Sequence, residues 1–235
     1  MTDLNRVALV TGASRGLGQA ISESLLIRGF SVVGVSRGES AISDEKYMHF
    51  EADLLETHQV GEIFRKLKKS GVHIDTLINN AGVLTSQYAL ILDPERAREM
   101  VLTNLWAPFV ISRDAARAMR RKGWGRIVHI GSMAATLEVP GDSIYAATKQ
   151  GLVTFSNLLA KELACFGVTS NVLGVSAFQS GMLSDLPQDQ ISDVISKLLI
   201  PREASIEDVM NVLDFFISPE SDYITAQTVY LAGAH

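Results

Sequence analysis

Short apolar runs, largely β-branched, alternate along this chain with longer stretches whose apolar positions recur every three or four residues. The apolar runs are VALV (7–10), SVVGV (31–35), YMHFEA (47–52), IDTLIN (74–79), RIVHIG (126–131), VTSNVL (168–173) and TVYLA (228–232). Between them the spacing predicts helices near 16–29, 56–70, 93–122, 143–166 and 205–217. Strands alternating with helices form βαβ units, and such units stack into a parallel sheet covered on both faces. The expected fold class is therefore α/β, a doubly wound parallel sheet of about seven strands with helices on both faces. No internal repeat, low-complexity tract or long linker marks a seam, so residues 1–235 are expected to form a single domain. In such a sheet, ligands sit outside the carboxyl ends of the strands, near the switch in strand order.

Composition narrows the picture without redirecting it. Hydrophobic content of 47% with 20% charged residues is ordinary for a protein with a large core. A net charge of -5 and the lack of a long basic block argue against nucleic acid as a partner. The one basic cluster, RAMRRKGWGR (117–126), fits a solvated helix end. Cys165 is the sole cysteine, so no intrachain disulfide and no thiolate zinc cluster can form, and its place on the apolar side of a helix argues against a reactive thiol. The start of the chain lacks the organisation of a signal peptide, and no stretch approaches the roughly 18 apolar residues of a membrane span. A cytoplasmic protein with no membrane partner is expected.

The first strand runs into TGASRGLG (11–18), where Gly12, Gly16 and Gly18 open a helix. Glycines let the backbone turn tightly and approach a pyrophosphate, whose charge is then met by the helix N-terminus. The spacing is G-x-x-x-G-x-G rather than the common G-x-G-x-x-G, and such turns also serve as plain helix caps. Its position after the first strand of an alternating chain favours a Rossmann-type dinucleotide site built from Gly12, Ser14, Arg15, Gly16, Leu17 and Gly18. A site for the unphosphorylated nicotinamide cofactor places an acid near the end of the second strand, where this chain has Ser36 and Arg37 instead. With Arg15 in the glycine turn, two guanidinium groups suit a 2′-phosphate, which favours NADP(H).

SIYAATKQG (143–151) sets Tyr145 and Lys149 four residues apart, on one face of a predicted helix. Taken alone, the pair is what many helices carry. Together with TGASRGLG, NNAG (79–82), Asn104 and IGSMAA (130–135), however, it resembles in order and spacing the short-chain dehydrogenase/reductase family, over nearly the whole chain. Within the family, the stretch 200–235 looks most like the bacterial 3-oxoacyl-carrier-protein reductases.

The resemblance implies that Asn104, Ser132, Tyr145 and Lys149 carry the chemistry. Tyr145 would donate the proton to a carbonyl oxygen, with Lys149 and the oxidised nicotinamide favouring its phenolate. An unperturbed phenol titrates near 10, and lowering it by about three units takes roughly 4 kcal/mol. Ser132, at the carboxyl end of a predicted strand, would hydrogen-bond the substrate oxygen. Asn104 would hold a water behind the lysine, and Lys149 would also bind the nicotinamide ribose. By the same pattern Asp53 and Leu54 flank the adenine, although Asp53 also fits a simple turn cap, and Asn80, Ala81 and Gly82 line the ribose edge. Phe178 contributes a backbone contact.

Two departures and one amphipathic segment between them stand out. In NVLGVSAFQSGML (171–183) Val175 and Ser176 replace the usual Pro-Gly, and Ser180 stands where a Thr belongs, which should reshape the loop over the nicotinamide. DQISDVISKLLI (189–200) places Ile191, Val194, Ile195, Leu198 and Leu199 on one helical face. It forms either part of a substrate lid near 177–200, with Gly181 as a hinge, or a packed surface helix. Phe166 occupies the position before a helix-ending glycine where carrier-docking reductases tend to place a basic residue, and the 117–126 cluster is an alternative dock.

The resemblance therefore implies an NADPH-dependent reduction of a carbonyl to a secondary alcohol, with a 3-oxoacyl thioester on acyl carrier protein or coenzyme A as first substrate class. A ketone or alcohol of a specialised pathway, such as a cyclic ketone, quinone or polyol, remains open. So does a non-catalytic partner subunit, which the altered 175–178 loop and the AGAH ending (232–235) suggest and the intact Asn104, Ser132, Tyr145 and Lys149 oppose. Assembly as a homotetramer or homodimer through helices near 93–122 and 143–166, or as a hetero-oligomer with a related chain, is expected.

Overall fold

A computed structural model of the chain describes residues 6–178, 192 and 195–233. Seven parallel strands form one sheet in the order β3-β2-β1-β4-β5-β6-β7. They are β1 (Val7–Thr11), β2 (Ser31–Ser36), β3 (Tyr47–Glu51), β4 (Thr76–Asn79), β5 (Gly125–Ser132), β6 (Val168–Val175) and β7 (Thr228–Tyr230). The helices are α1 (Gly16–Ile27), α2 (Thr57–Lys69), α3 (Pro94–Val101), α4 (Ala107–Lys122), the short α5 (Ala134–Leu137), α6 (Ser143–Leu163) and α7 (Ile206–Ile217). The sheet grows outward from β1 to β3, then the chain returns to the other side of β1 as β4. That reversal parts the loops leaving β1 and β4 and opens a crevice at their carboxyl ends.

Successive strand residues face opposite sides, so each central strand feeds two cores. Leu9, Leu77 and Ile127 pack under α2, α4 and α6 against Ile63, Ile111, Met119 and Leu159. Ala8, Val10, Ile78 and Val128 pack under α1 and α7 against Ile21, Leu25, Val209, Leu213 and Phe216. Helix α7 starts on a capping box in which Ser205 and Asp208 satisfy each other's backbone N–H groups. At the outer strands, a Cβ at Gly34 of β2 would overlap the hydroxyl of Tyr47 on β3, and one at Gly174 of β6 would overlap the ring of Tyr230 on β7.

Two helices depart from the sequence expectation. The stretch 93–122 is broken by a π-helical turn, Leu102–Trp106, in which the Ala107 N–H reaches back to the Leu102 carbonyl. Pro108 is the physical reason: it has no N–H to give the Asn104 carbonyl, four residues earlier. The second helix ends at Leu163 and passes into a 3-10 turn, Ala164–Phe166, closed by Gly167 at φ 69°. Cys165 lies on that turn and is exposed, contrary to the buried position expected from helical periodicity.

Candidate active site

A cleft of about 620 Å3 opens at the carboxyl ends of the sheet. Its floor near β1 is the glycine turn, with Gly12 at φ 69° donating its N–H to the Val35 carbonyl. A Cβ at Gly18 would overlap the Gly12 carbonyl oxygen, so helix α1 meets the turn closely only because that side chain is missing. Thr11, at the end of β1, ties the two crevice loops together. Its hydroxyl accepts from the N–H groups of Asn80 and Ala81 at 2.9 and 3.0 Å, and its carbonyl accepts from Asn80 Nδ2 at 2.9 Å. Sequence reasoning passed over Thr11, although a Thr preceding the first glycine was visible.

The predicted cofactor residues converge here. Ser14, Arg15, Gly16 and Leu17 line the cleft from the glycine turn, and Arg37 lines it from the exit of β2 with Ser36 and Gly38. Asp53, Leu54, Asn80, Ala81, Gly82 and Phe178 line it from the remaining loops. Asp53 also accepts from the Leu55 N–H at 2.9 Å, so the turn cap and the cleft position coexist. Phe178 is held by a bridge to Ala204, and Val175 and Ser176 extend and follow β6 along the same wall. Ser180, Gly181, Ile191 and Val194 lie outside the described residues, as does most of the expected lid.

Ser132, Tyr145 and Lys149 meet on the opposite wall. Strand β5 delivers Ser132 at its last residue, and helix α6 presents Tyr145 and Lys149 one turn apart. Burial pushes the Tyr145 phenol up from its ordinary value; a hydrogen bond with Ser132 pulls it down, and the charge of Asp142 pushes it further up. The Nζ of Lys149 donates to the Ile130 carbonyl at 2.9 Å and stands 5.8 Å from the Tyr145 ring centre. Burial lowers the lysine itself to about 8.

Asn104 sits behind this group, fully buried. Its Oδ1 accepts from the Val83 N–H at 2.8 Å, and its Nδ2 donates to the Val83 carbonyl at 2.9 Å and to Thr148 Oγ1 at 3.3 Å. The side chain is thus committed to the loop after β4. Pro108, four residues on, has no N–H to offer the Asn104 main-chain carbonyl.

The structure adds residues the sequence did not single out. Asp142 lines the cleft three residues before Tyr145, with Oδ1 buried and unpartnered and the carboxyl hydrogen-bonded to Ser86. Burial raises its pKa. Deeper in the sheet, His129 on β5 is fully buried, with Nδ1 3.1 Å from Asn79 Nδ2 and Nε2 3.4 Å from Ser170 Oγ. Burial, helped by the Lys149 charge, lowers it to about 3. Among the described residues no group of three or more His, Cys, Asp or Glu side chains could hold a metal ion, and no helix is long and apolar enough to cross a membrane.

A parallel sheet with a glycine turn at its switch point, facing a buried Ser, Tyr and Lys across one cleft, defines a nucleotide-dependent oxidoreductase. The comparisons agree. Residues 6–191 match the model of the short chain dehydrogenase family, and the chain belongs to that family. It is 34% identical to the 3-oxoacyl-[acyl-carrier-protein] reductase of Escherichia coli, over 97% of this chain and 96% of that one. The corresponding reductase of Haemophilus influenzae is 31% identical, over 97% of each chain. Among solved structures, a protein from Agrobacterium tumefaciens described as a gluconate dehydrogenase superposes with a TM-score of 0.88 at 26% identity, covering 97% of this chain and 94% of its own. The ligand-free aldohexose dehydrogenase of Thermoplasma acidophilum shares the fold, with a TM-score of 0.88 at 24% identity over 97% of this chain and 92% of its own. The chain is therefore an oxidoreductase whose family uses a nicotinamide cofactor.

Proposed function

We propose that this oxidoreductase catalyses the NADPH-dependent reduction of a 3-oxoacyl thioester, carried on acyl carrier protein or coenzyme A, to the 3-hydroxyacyl form. The observation that carries the reading is the convergence of Ser132, Tyr145 and Lys149 on one wall of the cleft, with Lys149 one helical turn beyond the buried tyrosine. The 3-oxoacyl-carrier-protein reductases among the relatives support the substrate class.

The cleft fits a dinucleotide. The glycine turn packs against the Asn80–Ala81 loop and helix α1 at distances that a side chain at Gly12 or Gly18 would not allow, and Ser36, Arg37 and Gly38 line the cleft at the β2 exit. Arg15 and Arg37 hold the 2′-phosphate, Asp53 and Leu54 flank the adenine, and Asn80, Ala81 and Gly82 border the ribose. When bound, NADPH supplies the hydride that adds to the carbonyl carbon. Ser132 orients the carbonyl oxygen and stabilises the negative charge that grows on it. Tyr145 gives that oxygen its proton, so C=O becomes CH–OH. The upward push on the phenol suits this direction: the acid stays loaded at neutral pH. Lys149, charged below about 8, would bind the nicotinamide ribose and return a proton toward Tyr145, and Asn104, buried behind it, would hold a water that feeds the lysine.

Helices α4 and α6 present Trp106, at its lead-in, Phe109 and Leu158 to solvent at 44%, 38% and 53% exposure. They are the proposed faces of a homodimer or homotetramer, or of a pairing with a related chain; a monomer by light scattering overturns that assembly. Arg120 lies 5.2 Å over the Phe166 ring, which returns a cation to the position expected to dock a carrier. The proposed location is cytoplasmic.

The deciding experiment follows NADPH oxidation with a 3-oxoacyl thioester, free and carrier-bound, in wild type and Tyr145→Phe. Turnover that the variant loses by about 10²- to 10⁴-fold supports the reading. Absence of turnover with NADPH bound rejects the thioester. One observation favours a second reading, a hydroxylated ketone: the unpartnered Asp142 oxygen suits a substrate hydroxyl, and a polyhydroxy ketone is the comparison substrate.

A further inference from the structure

The turn that leaves β2 into the cleft, Ser36–Arg37–Gly38, is held from behind by side chains of β3 and its approach that do not themselves line the cleft. His49 Nε2 lies 2.9 Å from the Gly38 carbonyl oxygen and 3.0 Å from Ser36 Oγ. Ser36 Oγ donates to the same carbonyl at 2.8 Å. A carbonyl only accepts, so Nε2 carries the proton, and in the neutral ring Nδ1 is left as acceptor for the Tyr47 hydroxyl at 2.8 Å. The Tyr47 hydroxyl is in turn 3.1 Å from Ser40 Oγ, and its ring stacks on His49 with centres 5.9 Å apart. Tyr47 cannot drift inward, because it already fills the space over Gly34. One imidazole nitrogen is thus spent on the turn, and the other on the tyrosine that holds the ring in place. The ten residues between β2 and β3 contain no helix or strand, so little else in the local backbone fixes that turn.

We propose that His49 is a positioning residue for cofactor choice: by clamping Ser36–Arg37–Gly38 it holds the Arg37 guanidinium where a 2′-phosphate must sit, and so sets the preference for a 2′-phosphorylated dinucleotide. The inference rests on the NADPH reading above. A guanidinium contributes to phosphate binding in proportion to how well it is already placed, since ordering a loose segment on binding costs conformational entropy that weakens the complex. The 2′-hydroxyl of NADH makes no such demand. The clamp is therefore felt by one cofactor and not the other.

The test measures dissociation constants for NADPH and NADH, by quenching of protein fluorescence, in wild type, His49→Phe, His49→Gln and Tyr47→Phe, each checked by thermal melting. His49→Phe keeps the ring stack and loses both nitrogens. It should weaken NADPH about tenfold, the effect of one or two lost hydrogen bonds, and leave NADH within about twofold. His49→Gln, whose amide nitrogen reaches toward the Gly38 carbonyl, should restore NADPH to within about threefold. If His49→Phe fails to fold, Tyr47→Phe carries the test, with about a threefold loss for NADPH alone. Equal losses for both cofactors, or an unchanged NADPH-to-NADH ratio in a wild type that prefers NADPH, overturn the inference alone. A wild type that binds NADH as tightly as NADPH overturns the cofactor reading and this inference with it.

Discussion

His129 makes a stability prediction whose sign and size follow from its burial. The folded ring titrates at about 3, below the roughly 6.5 of an exposed histidine. On acidification the unfolded chain takes up a proton that the folded chain refuses. The stability associated with the neutral ring is therefore complete above about pH 6.5 and is lost as pH falls from there toward 3, at up to about 1.4 kcal/mol per pH unit. Between pH 7 and pH 5 the loss integrates to about 2 kcal/mol, or roughly 4–8 °C in melting temperature for a chain of this size. The contrast is His129→Gln, whose amide keeps a donor and an acceptor for Asn79 and Ser170 but does not titrate. Urea unfolding of both proteins at pH 7 and pH 5 gives the difference between their stabilities, in which the contributions of shared carboxylates such as Asp75 and Asp208 cancel. That difference should shift by about 2 kcal/mol in favour of the variant as pH falls. Parallel pH dependences would refute the reasoning, because they require a ring that is already protonated or already solvated in the native state.

Arg37→Asp should weaken NADPH by roughly a hundredfold, from loss of a charge-assisted contact and added repulsion, and NADH by less than about fivefold, as read by titration. Asp142→Asn removes a charge that pushes the Tyr145 phenol up, so the alkaline limb of the reduction rate should move to lower pH; an unmoved limb excludes that coupling. Gly18→Ala forces a methyl onto the Gly12 carbonyl and should cost about 1–3 kcal/mol in urea unfolding together with most dinucleotide affinity.

How much of this was legible in the sequence differs from element to element. The apolar strands and their order along the chain were, because burial on both faces leaves a continuous apolar run. Their ends were not: β5 and β6 each run on to Ser132 and Val175, which pair with each other, whereas β7 stops at Tyr230, the last residue paired with its single neighbour β6. Pro108 was visible, yet the amphipathic pattern around it was read as one helix, and the π turn that accommodates it escaped notice. Cys165 was misplaced because its periodicity holds only if the helix continues past Leu163. The site divides in the same way. Residues within local motifs, from Gly12 to Lys149, could be singled out because each motif carries its own spacing, and the structure brings them to one cleft. Asp142 and Ser86 were not singled out, since their meeting depends on the loop after β4 folding onto the start of α6, where the Gln87 N–H donates to the Gly141 carbonyl at 2.9 Å. His49 was missed for the same reason: its partners belong to the turn after another strand.

The missing side chains at Gly34 and Gly174 make each a lock whose key is a tyrosine on the adjoining outer strand. Neither partner can be exchanged freely. Enlarging the glycine first drives a methyl into a ring, whereas trimming the tyrosine first opens a void that a later side chain can occupy. Any path by which relatives come to differ at these places must therefore run through the aromatic position first, and laboratory redesign of either flank of the sheet faces the same order of steps. The flank formed by β2 and β3 carries an added constraint, because the hydroxyl of Tyr47 is shared between that lock and the histidine behind the cleft. A substitution chosen to repack that flank would alter cofactor selection as well, so the two traits should be inherited together.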